Sequence, residues 1–192
     1  MRIRELPYKL KKAVRYFRHF GPKAFFSHLR ERLEPEDVPY GPWYEKHRPT
    51  VEALHLLRRK NREDDPLISV VVPAYETPER FLSEMIGSVA AQTYENWELV
   101  IADASDRTDR VRKCAEEAAK NDSRIRYVRL AKNDGISANT NAAVLASHGV
   151  YVGFLDHDDL LAPQALRRMA DAVLSQGADL LYSDEDKIKD DG

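Results

Sequence analysis

The chain has 192 residues, of which 43% are hydrophobic and 32% are charged, a composition typical of a globular protein with an apolar core. Its longest apolar runs fall well short of the ~20 residues that a bilayer requires, so we expect no transmembrane helix. The basic start of the chain is followed by neither an apolar run nor a small-residue cleavage site, which argues against a secretory signal. The single cysteine, Cys114, excludes an internal disulfide and a multi-cysteine metal site, and favours a reducing compartment.

The formal net charge of −2 is unevenly distributed along the chain. Residues 1–34 hold ten Lys and Arg residues against three Asp and Glu residues, a net charge of +7, so the remaining residues sum to −9. This asymmetry predicts a basic interaction segment in front of a separate domain, and we place the division between residues 1–65 and 66–192. Nucleic acid is not an expected partner, because the acidic body would repel phosphates.

The basic segment carries two apolar stripes at helical spacing, one in residues 10–17 and one in residues 25–33. Gly21-Pro22 between them predicts a helix stop followed by a restart. A basic amphipathic helix binds an anionic membrane surface through apolar burial and charge together, so residues 1–34 are a candidate membrane-contact segment. Packing of both stripes on the main domain is the alternative.

A stretch rich in proline, residues 35–49, follows the basic segment and predicts a linker or a wrapped segment. Trp43 and Tyr44 within it are expected to dock on a neighbouring surface. Thr50 is placed to cap a short helix from Val51 to about residue 60.

The body of the chain alternates short apolar runs, rich in β-branched residues, with helical patterns. This alternation predicts an α/β fold, with a mostly parallel sheet flanked by helices and joined by right-handed crossovers. Strands are predicted at residues 67–72, 97–102, 125–130, 150–155 and 180–182, and helices after Thr77-Pro78, near residues 111–118, over residues 137–147 and after Pro163.

The residues directly after each predicted strand are the candidate site, because ligands of parallel sheets bind beyond the carboxyl ends of the strands. Four of the five clusters found there contain at least two acidic or amide side chains, as one shared polar cleft requires. The clusters are residues 73–76, 103–106, 133–135, 156–159 and 183–186.

Several signature motifs are absent from the sequence. No GxGxxG follows the first predicted strand, which argues against a dinucleotide-binding Rossmann site, and the lack of GxxxxGK[ST] excludes a P-loop. HExxH and GxSxG are also missing, which removes a zinc-protease helix and an α/β-hydrolase nucleophile. A nucleotidyltransferase would require a basic, glycine-rich loop after the first strand, whereas PAYETPE is neither basic nor glycine-rich.

The sequence Asp156-His157-Asp158-Asp159 follows the fourth predicted strand. In an extended strand end, residues two apart point to the same side, so we expect Asp156 and Asp158 to present two carboxylates to one point. Close carboxylates repel, and a divalent cation such as Mg²⁺ or Mn²⁺ relieves the repulsion and takes substrate phosphates as further ligands. Capping of the helix at Pro163 is the alternative and suits Asp159. His157 is expected to pack or hydrogen-bond rather than bind metal.

Asp103 ends the second predicted strand. Its carboxylate is placed either to accept a hydrogen bond from a ring N–H of a nucleotide base or to cap its loop with Ser105 and Asp106. The residue types alone leave both roles open.

Five segments of the body carry a resemblance to known proteins. They are ISVVVPAYE, WELVIADAS, NDGISANTNAA, YVGFLDHDDLLAP and YSDEDKI. In this order they resemble the first strand, the second strand, the Gly-and-Asn segment and the metal motif of family 2 glycosyltransferases, with the last segment similar to the rhamnosyltransferase-like members. The resemblance extends from residue 67 to about residue 189.

This resemblance implies a GT-A fold, which is a Rossmann-like α/β fold, with a nucleotide-sugar donor, Mn²⁺ or Mg²⁺, and inversion at the anomeric carbon. Asp103 would contact the base, while Asp156 and Asp158 would form the DxD pair that holds the metal and the pyrophosphate. Asp184 and Glu185 would lie near the donor sugar. The other implied donor-binding residues are Pro73, Ala74, Tyr75 and Glu76 around the base and ribose, and Asn133, Gly135 and Asn141 near the ribose and phosphates.

The resemblance also implies a role in cell-surface polysaccharide synthesis, with a glycan or lipid-linked acceptor. We expect a cytoplasmic protein, held by its basic segment at the inner face of the plasma membrane. Family members continue beyond this point into a segment with the acceptor site and the general base, and no acidic residue of this chain matches that base. The expectation is therefore the donor-binding half of a transferase, with a catalytically incomplete nucleotide-sugar-binding protein as the alternative.

Overall fold

The structure, a computed structural model, describes residues 8–33, 40–58 and 63–186. The chain divides into two compact units, Met1–Arg48 and Pro49–Gly192. The short helix after Thr50 therefore belongs to the second unit, so the division falls earlier than the one suggested by the charge pattern. None of the helices within the described ranges is long and apolar enough to cross a membrane.

The first unit begins with α1 (Tyr8–Leu33), which is broken at Gly21. Gly21 has a φ of 79° and a ψ of 170°, a conformation that glycine adopts without the steric cost of a Cβ atom. The helix restarts at Pro22, as predicted, because the missing backbone N–H of a proline is tolerated in a first helical turn. The rings of Phe17 and Phe25 contact each other across the break, with centroids 5.3 Å apart.

A second helix of this unit, α2 (Tyr40–His47), lies within the segment predicted to be a linker. No helix was predicted at these residues, and Pro42 is compatible with one because it falls in the first helical turn, where its missing N–H costs no hydrogen bond. The rings of Trp43 and His47 stack with centroids 4.7 Å apart, one turn from each other.

The second unit opens with α3 (Val51–Leu57), whose cap is the predicted one. The Thr50 hydroxyl accepts a hydrogen bond from the Ala53 N–H at 3.2 Å. The helix ends at Leu57, earlier than expected, and none of its residues is fully buried.

Four parallel strands form the sheet of the second unit, in the order β3-β2-β1-β4. β1 (Ile68–Ala74) pairs with β2 (Trp97–Asp103) on one side and with β4 (Tyr151–Phe154) on the other, and β3 (Ile125–Arg129) lies outside β2. The predicted α/β class and the parallel sheet are confirmed. The intervening helices are α4 (Glu79–Ala90), α5 (Arg110–Asn121), α6 (Ile136–Leu145) and α7 (Ala165–Gln176).

Helices cover both faces of the sheet, so every residue of the central strand β2 is buried. On one face, Val70 and Leu99 belong to a large apolar cluster with α4, α5 and α7 residues such as Met85. On the other face, a smaller cluster joins Val71 and Val100 to α6. Each such side chain contributes about 1.5–3 kcal/mol on burial, which makes β1 and β2 the stable frame for the loops at their ends.

The predicted fifth strand at residues 180–182 is wrong, since residues 179–186 lie in no strand of the structure. Leu180 is 85% exposed and Tyr182 is 93% exposed. A strand of three residues gains little burial and needs a neighbour for its backbone groups, and the described sheet ends at β4 without pairing this segment. The segment instead borders an apolar groove of about 340 Å³ beside β4 and α7.

Candidate functional site

All four strands are parallel, so their carboxyl ends and the polar clusters that follow them meet at one edge of the sheet. Ala74, at the end of β1, lies beside Asp103 on β2. Asp103 lies in turn beside Arg129 on β3. This is the edge at which the sequence predicted a shared cleft.

Asp103 lies at the centre of this edge and is fully buried. Its Oδ1 accepts a hydrogen bond from the Ser105 backbone N–H at 2.8 Å. Its Oδ2 accepts from the Tyr127 hydroxyl at 2.8 Å and from Arg129 Nη1 at 3.1 Å. The loop-capping contact with Ser105 is therefore present, and the carboxylate is covered by two side chains of β3.

Tyr127 and Arg129 are residues that the sequence analysis missed. They stand two apart on β3, so both project to the face on which Asp103 lies, and this period of two was the available signal. Burial raises the pKa of the Tyr127 hydroxyl, and its hydrogen bond to Asp103 adds to the effect. The Arg129 side chain remains 47% exposed.

The loop after β1 is hydrogen-bonded to the loop after β2 through Tyr75 and Glu76. The Tyr75 hydroxyl donates to Asp106 Oδ1 at 3.2 Å, and the Glu76 N–H donates to Ser105 Oγ at 2.9 Å. The Glu76 carboxylate accepts three backbone hydrogen bonds, from residues 106 to 108, and a fourth from the Thr108 hydroxyl. Hydrogen bonding by the Arg107 N–H is the main cause that lowers the Glu76 pKa, against the opposing effect of burial.

The Gly-and-Asn segment forms a compact turn at the start of α6. Asn133 Oδ1 accepts from the Gly135 N–H at 3.1 Å and from Asn139 Nδ2 at 2.9 Å. Gly135 has a φ of 89°, which favours glycine, and precedes the first helical residue. Asn139 is buried and was not predicted, while the predicted Asn141 lies exposed on the same helix.

The residues after β4 form a turn rather than the extended strand end that the sequence analysis assumed. The Asp159 N–H bonds the Asp156 carbonyl at 3.3 Å, so the argument from strand periodicity does not apply to Asp156 and Asp158. His157 is half-buried, with its Nδ1 at 3.6 Å from Asp158 Oδ1.

Carboxylates nevertheless gather at this turn. Burial raises the pKa of Asp159, and the negative charges of Asp156, Asp158 and Glu185 raise it further. We call these four residues the acidic cluster. It joins the predicted metal pair to Glu185, which the sequence analysis placed near the donor sugar; Asp184 lies exposed beside Glu185.

The acidic cluster fits a hard divalent cation by its chemistry, because it offers only oxygen ligands whose charges repel one another. Within the described ranges, no three His, Cys, Asp or Glu side chains are already arranged to hold a metal ion. Mg²⁺ and similar ions commonly take one or two protein carboxylates, together with waters and substrate phosphates. The arrangement therefore suits a metal that binds together with a phosphorylated ligand.

The family model and the relatives that match this chain indicate the same family. Residues 69–192 match the family model for glycosyl transferase family 2. The chain is 34% identical over 176 residues to the O-antigen biosynthesis protein RfbC of Myxococcus xanthus, covering 88% of this chain and 14% of that protein. It is 32% identical over 125 residues to the Escherichia coli UDP-Glc:alpha-D-GlcNAc-diphosphoundecaprenol beta-1,3-glucosyltransferase WfgD, covering 65% of this chain and 48% of WfgD.

Among solved structures, the chain is similar to S. aureus TarS 1–349 in complex with UDP-GlcNAc, with a TM-score of 0.53 and 25% identity. The likeness covers 58% of this chain and 32% of the TarS chain, and it supports the predicted GT-A fold. The chain thus spans less than half of the length of each of these relatives.

Proposed function

Because the chain belongs to glycosyl transferase family 2, we propose that it is a metal-dependent, inverting glycosyltransferase with a nucleotide-sugar donor. One observation carries the proposal. Asp103, which ends β2, and Asp156, Asp158 and Asp159, which follow β4, would serve the two ends of such a donor, and the carboxyl ends of these parallel strands form one edge of the sheet. All four lie within the residues that match the family.

The base of the donor would contact Asp103. Since Asp103 is buried beneath Tyr127 and Arg129, this contact requires the half-exposed Arg129 guanidinium to move away from Oδ2. TarS binds UDP and UDP-GlcNAc, which supports a uridine nucleotide as the first donor to test. Around the base, ribose and phosphates, the pocket would be lined by Pro73, Ala74, Tyr75, Glu76, Asn133, Gly135 and Asn141.

Asp156 and Asp158 would hold Mn²⁺ or Mg²⁺ in this proposal. A bound divalent cation neutralises charge that develops on the departing nucleoside diphosphate. The protein's own contribution is to bind and orient the donor, with Asp184 and Glu185 near the donor sugar. Carboxylates and phosphates are both anionic and repel each other, so these carboxylates would bind the donor's phosphates only together with a cation.

The acceptor would be a glycan or a lipid-linked sugar of cell-surface polysaccharide synthesis. RfbC is named for O-antigen biosynthesis, and WfgD for a diphosphoundecaprenol acceptor, which supports this class. A membrane-borne acceptor is reached most readily by an enzyme at the membrane surface. We therefore propose a cytoplasmic protein that binds the anionic inner leaflet of the plasma membrane through its basic segment, residues 1–34.

Calorimetry with UDP, in Mn²⁺ and then in EDTA, tests the donor and metal assignments together. Asp158→Asn should remove the metal-dependent part of the affinity, and Asp156→Asn should weaken it less, because one or two carboxylates often suffice. Asp64→Asn is the matched control, since Asp64 is exposed and precedes β1 at the opposite edge of the sheet. Equal UDP affinity in Mn²⁺ and EDTA would contradict metal dependence.

Transfer is tested separately by UDP release from UDP-GlcNAc, measured with and without glycan acceptors. Release that depends on an acceptor supports a transferase. UDP binding without such release would favour the alternative of a nucleotide-sugar-binding protein.

A further inference from the structure

Glu76 has a contact set that lining a ligand pocket does not explain. Its Oε1 accepts hydrogen bonds from three successive backbone N–H groups, those of Asp106 at 3.1 Å, Arg107 at 2.8 Å and Thr108 at 3.2 Å. Its Oε2 accepts from the Thr108 hydroxyl at 2.8 Å. Successive N–H groups that converge on one point form a backbone nest, a concavity that binds anions. In this protein the nest is filled by a carboxylate of the chain itself.

The backbone of Glu76 is strained in order to place that carboxylate. Its φ of 52° lies in the left-handed region, and within the described ranges no other residue except glycine has a positive φ. Such a conformation is unfavourable for a residue with a Cβ atom and persists only where the surroundings determine it. Glycine or asparagine would adopt it more readily, so a glutamate at this position stands against its backbone preference.

The contacts of Glu76 lead directly to Asp103. The Glu76 N–H donates to Ser105 Oγ, and the Ser105 N–H donates to Asp103 Oδ1. The Ala104 N–H bonds the Ala74 carbonyl at 2.9 Å in the same stretch. Glu76 therefore holds Ser105 through its backbone and residues 106–108 through its carboxylate, while Ala74 holds the 104 end of the segment.

We propose that Glu76 is a positioning residue that locks residues 104–108 and thereby orients Asp103 for the base of the donor. The proposal rests on the proposed function for the identity of the ligand. In this proposal Glu76 acts on the donor indirectly, by holding residues 104–108 in place. The alternative is that its carboxylate contacts the ribose of the donor directly. With three donors on Oε1 and one on Oε2, most of the lone pairs of the carboxylate are already used within the chain.

Two substitutions of Glu76 separate the carboxylate from the backbone strain. Glu76→Ala removes the carboxylate and keeps the unfavourable φ, whereas Glu76→Gly removes the carboxylate and relieves the φ. Glu76→Gly should therefore unfold at a higher temperature than Glu76→Ala, yet both should bind UDP with Mn²⁺ about tenfold more weakly than the native chain. Glu79→Gln, an exposed carboxylate three residues away, is the control and should change neither quantity.

Thr108→Val distinguishes positioning from direct contact with the ribose. This substitution removes the hydroxyl that holds Oε2 and leaves the Glu76 carboxylate in place. If Glu76 positions the loop, Thr108→Val should lose a measurable part of its UDP affinity, and this loss should be smaller than the loss in Glu76→Gly. The affinity of Thr108→Val for inorganic pyrophosphate, measured with Mn²⁺, should be unchanged. Native UDP affinity in Thr108→Val, or an equal loss for UDP and pyrophosphate in Glu76→Gly, would overturn the proposal.

Amide hydrogen exchange in the ligand-free protein keeps this test independent of the proposed function. Glu76→Gly should speed the exchange of the Arg107 and Thr108 amides, while the amides of β1 keep their protection. If the native chain binds no UDP but this exchange result is obtained, the donor assignment fails and the lock on the loop stands. Unchanged exchange at both amides would overturn the lock, whatever the chain binds.

Discussion

Glu98 is a buried carboxylate near the start of β2, far along the strand from the candidate site. It accepts hydrogen bonds from the Ser69 hydroxyl at 2.6 Å, from the His148 N–H at 2.5 Å and from Arg126 Nη1 at 3.0 Å. Burial alone would raise its pKa, but these hydrogen bonds outweigh burial and lower the pKa to about 2. The group thus connects β1, β2 and β3 to the turn before β4.

The depressed pKa predicts how stability changes in acid. A carboxylate whose pKa falls on folding stabilises the protein above its unfolded-state pKa of about 4.3, and the contribution disappears as the pH falls towards 2. At pH 7 the shift corresponds to at most about 3 kcal/mol. Glu98→Gln should lower the free energy of unfolding at pH 7 and flatten its decline between pH 5 and pH 2, as measured by urea unfolding.

Glu117→Gln is the control for this prediction, because Glu117 is exposed and forms an ion pair with Lys120 on the surface of α5. An exposed pair of this kind contributes little, so the control should follow the native pH profile. A parallel decline of Glu98→Gln and the native chain in acid would contradict the assigned role of Glu98.

Arg167 is a residue whose burial could not be predicted from the hydrophobic pattern of the sequence. Leu166 and Ala170 are four residues apart on α7, the spacing of a core-facing helical stripe, and both are buried. Arg167 is buried as well, with its guanidinium 4.5 Å from the centre of the Tyr94 ring and Nη1 at 3.5 Å from Asp65 Oδ2. Periodicity assumes that a charged side chain is solvated, and the partner carboxylate lies a hundred residues away in the sequence.

At the scale of elements, the turn between α6 and β4 packs directly against the start of β1. The Gly149 N–H donates to Ser69 Oγ at 2.7 Å. A Cβ atom at Gly149 would lie 2.5 Å from Ser69 Oγ and 2.7 Å from both the Leu67 carbonyl oxygen and the Ser69 nitrogen. Glycine is required here by space, since two of these three neighbours are backbone atoms that cannot rotate away.

Gly149→Ala should therefore destabilise the second unit by about 1–3 kcal/mol, the usual range for overpacking a tight contact. Gly87→Ala is the control and should instead raise the free energy of unfolding, because Gly87 is exposed on α4 and an added Cβ would meet nothing within 4 Å. Replacing a helical glycine by alanine commonly stabilises by about 1 kcal/mol. Thermal unfolding of both variants measures the contrast, and equal melting temperatures would contradict the close approach at Gly149.

Elements were predictable where local pattern and tertiary packing agree. The four paired strands and their helices were found because each buries an apolar face against the sheet, as β1 does with four valine and isoleucine residues. Predictions failed where the outcome depends on context. Residues 180–182 have a strand-like composition, but no described strand pairs with them. Pro42 suggested a linker, although a proline is tolerated in a first helical turn.

In the candidate site, too, some features were predictable from the sequence pattern and others were not. The order of strand-end clusters was enough to predict that Asp103, Asp156 and Asp158 meet at one edge, because parallel topology brings carboxyl ends together. The left-handed Glu76 was not predictable, since it is held by contacts with the loop after β2, which is distant in sequence. The turn after β4 is closed by a local hydrogen bond between Asp159 and Asp156, which strand periodicity does not encode.

At the scale of the whole molecule, the two compact units have different surfaces. In the first unit, Lys12, Arg15, Arg18 and Lys23 are exposed, and so are large apolar side chains such as Phe20, at 57%. Exposed apolar groups among basic residues are the combination that binds an anionic lipid surface. The acidic cluster and Asp103 belong to the second unit, so membrane contact and donor binding should be separable by substitution.

Flotation of the full chain with lipid vesicles tests that separation. Lys12→Glu with Arg15→Glu should lower binding to vesicles that contain phosphatidylserine by about tenfold or more at low salt, because each basic residue near such a surface contributes about 1 kcal/mol. High salt should weaken native binding, and vesicles of neutral lipid should bind little. UDP affinity should stay unchanged in this variant. Arg110→Glu with Lys113→Glu, which reverses two exposed charges of α5, is the matched control and should float like the native chain. If the Lys12 and Arg15 variant floats as well as the native chain at low salt, these two charges do not contact the lipid. That outcome would favour packing of the basic segment against protein, because an electrostatic attraction to anionic lipid cannot survive reversal of its charges.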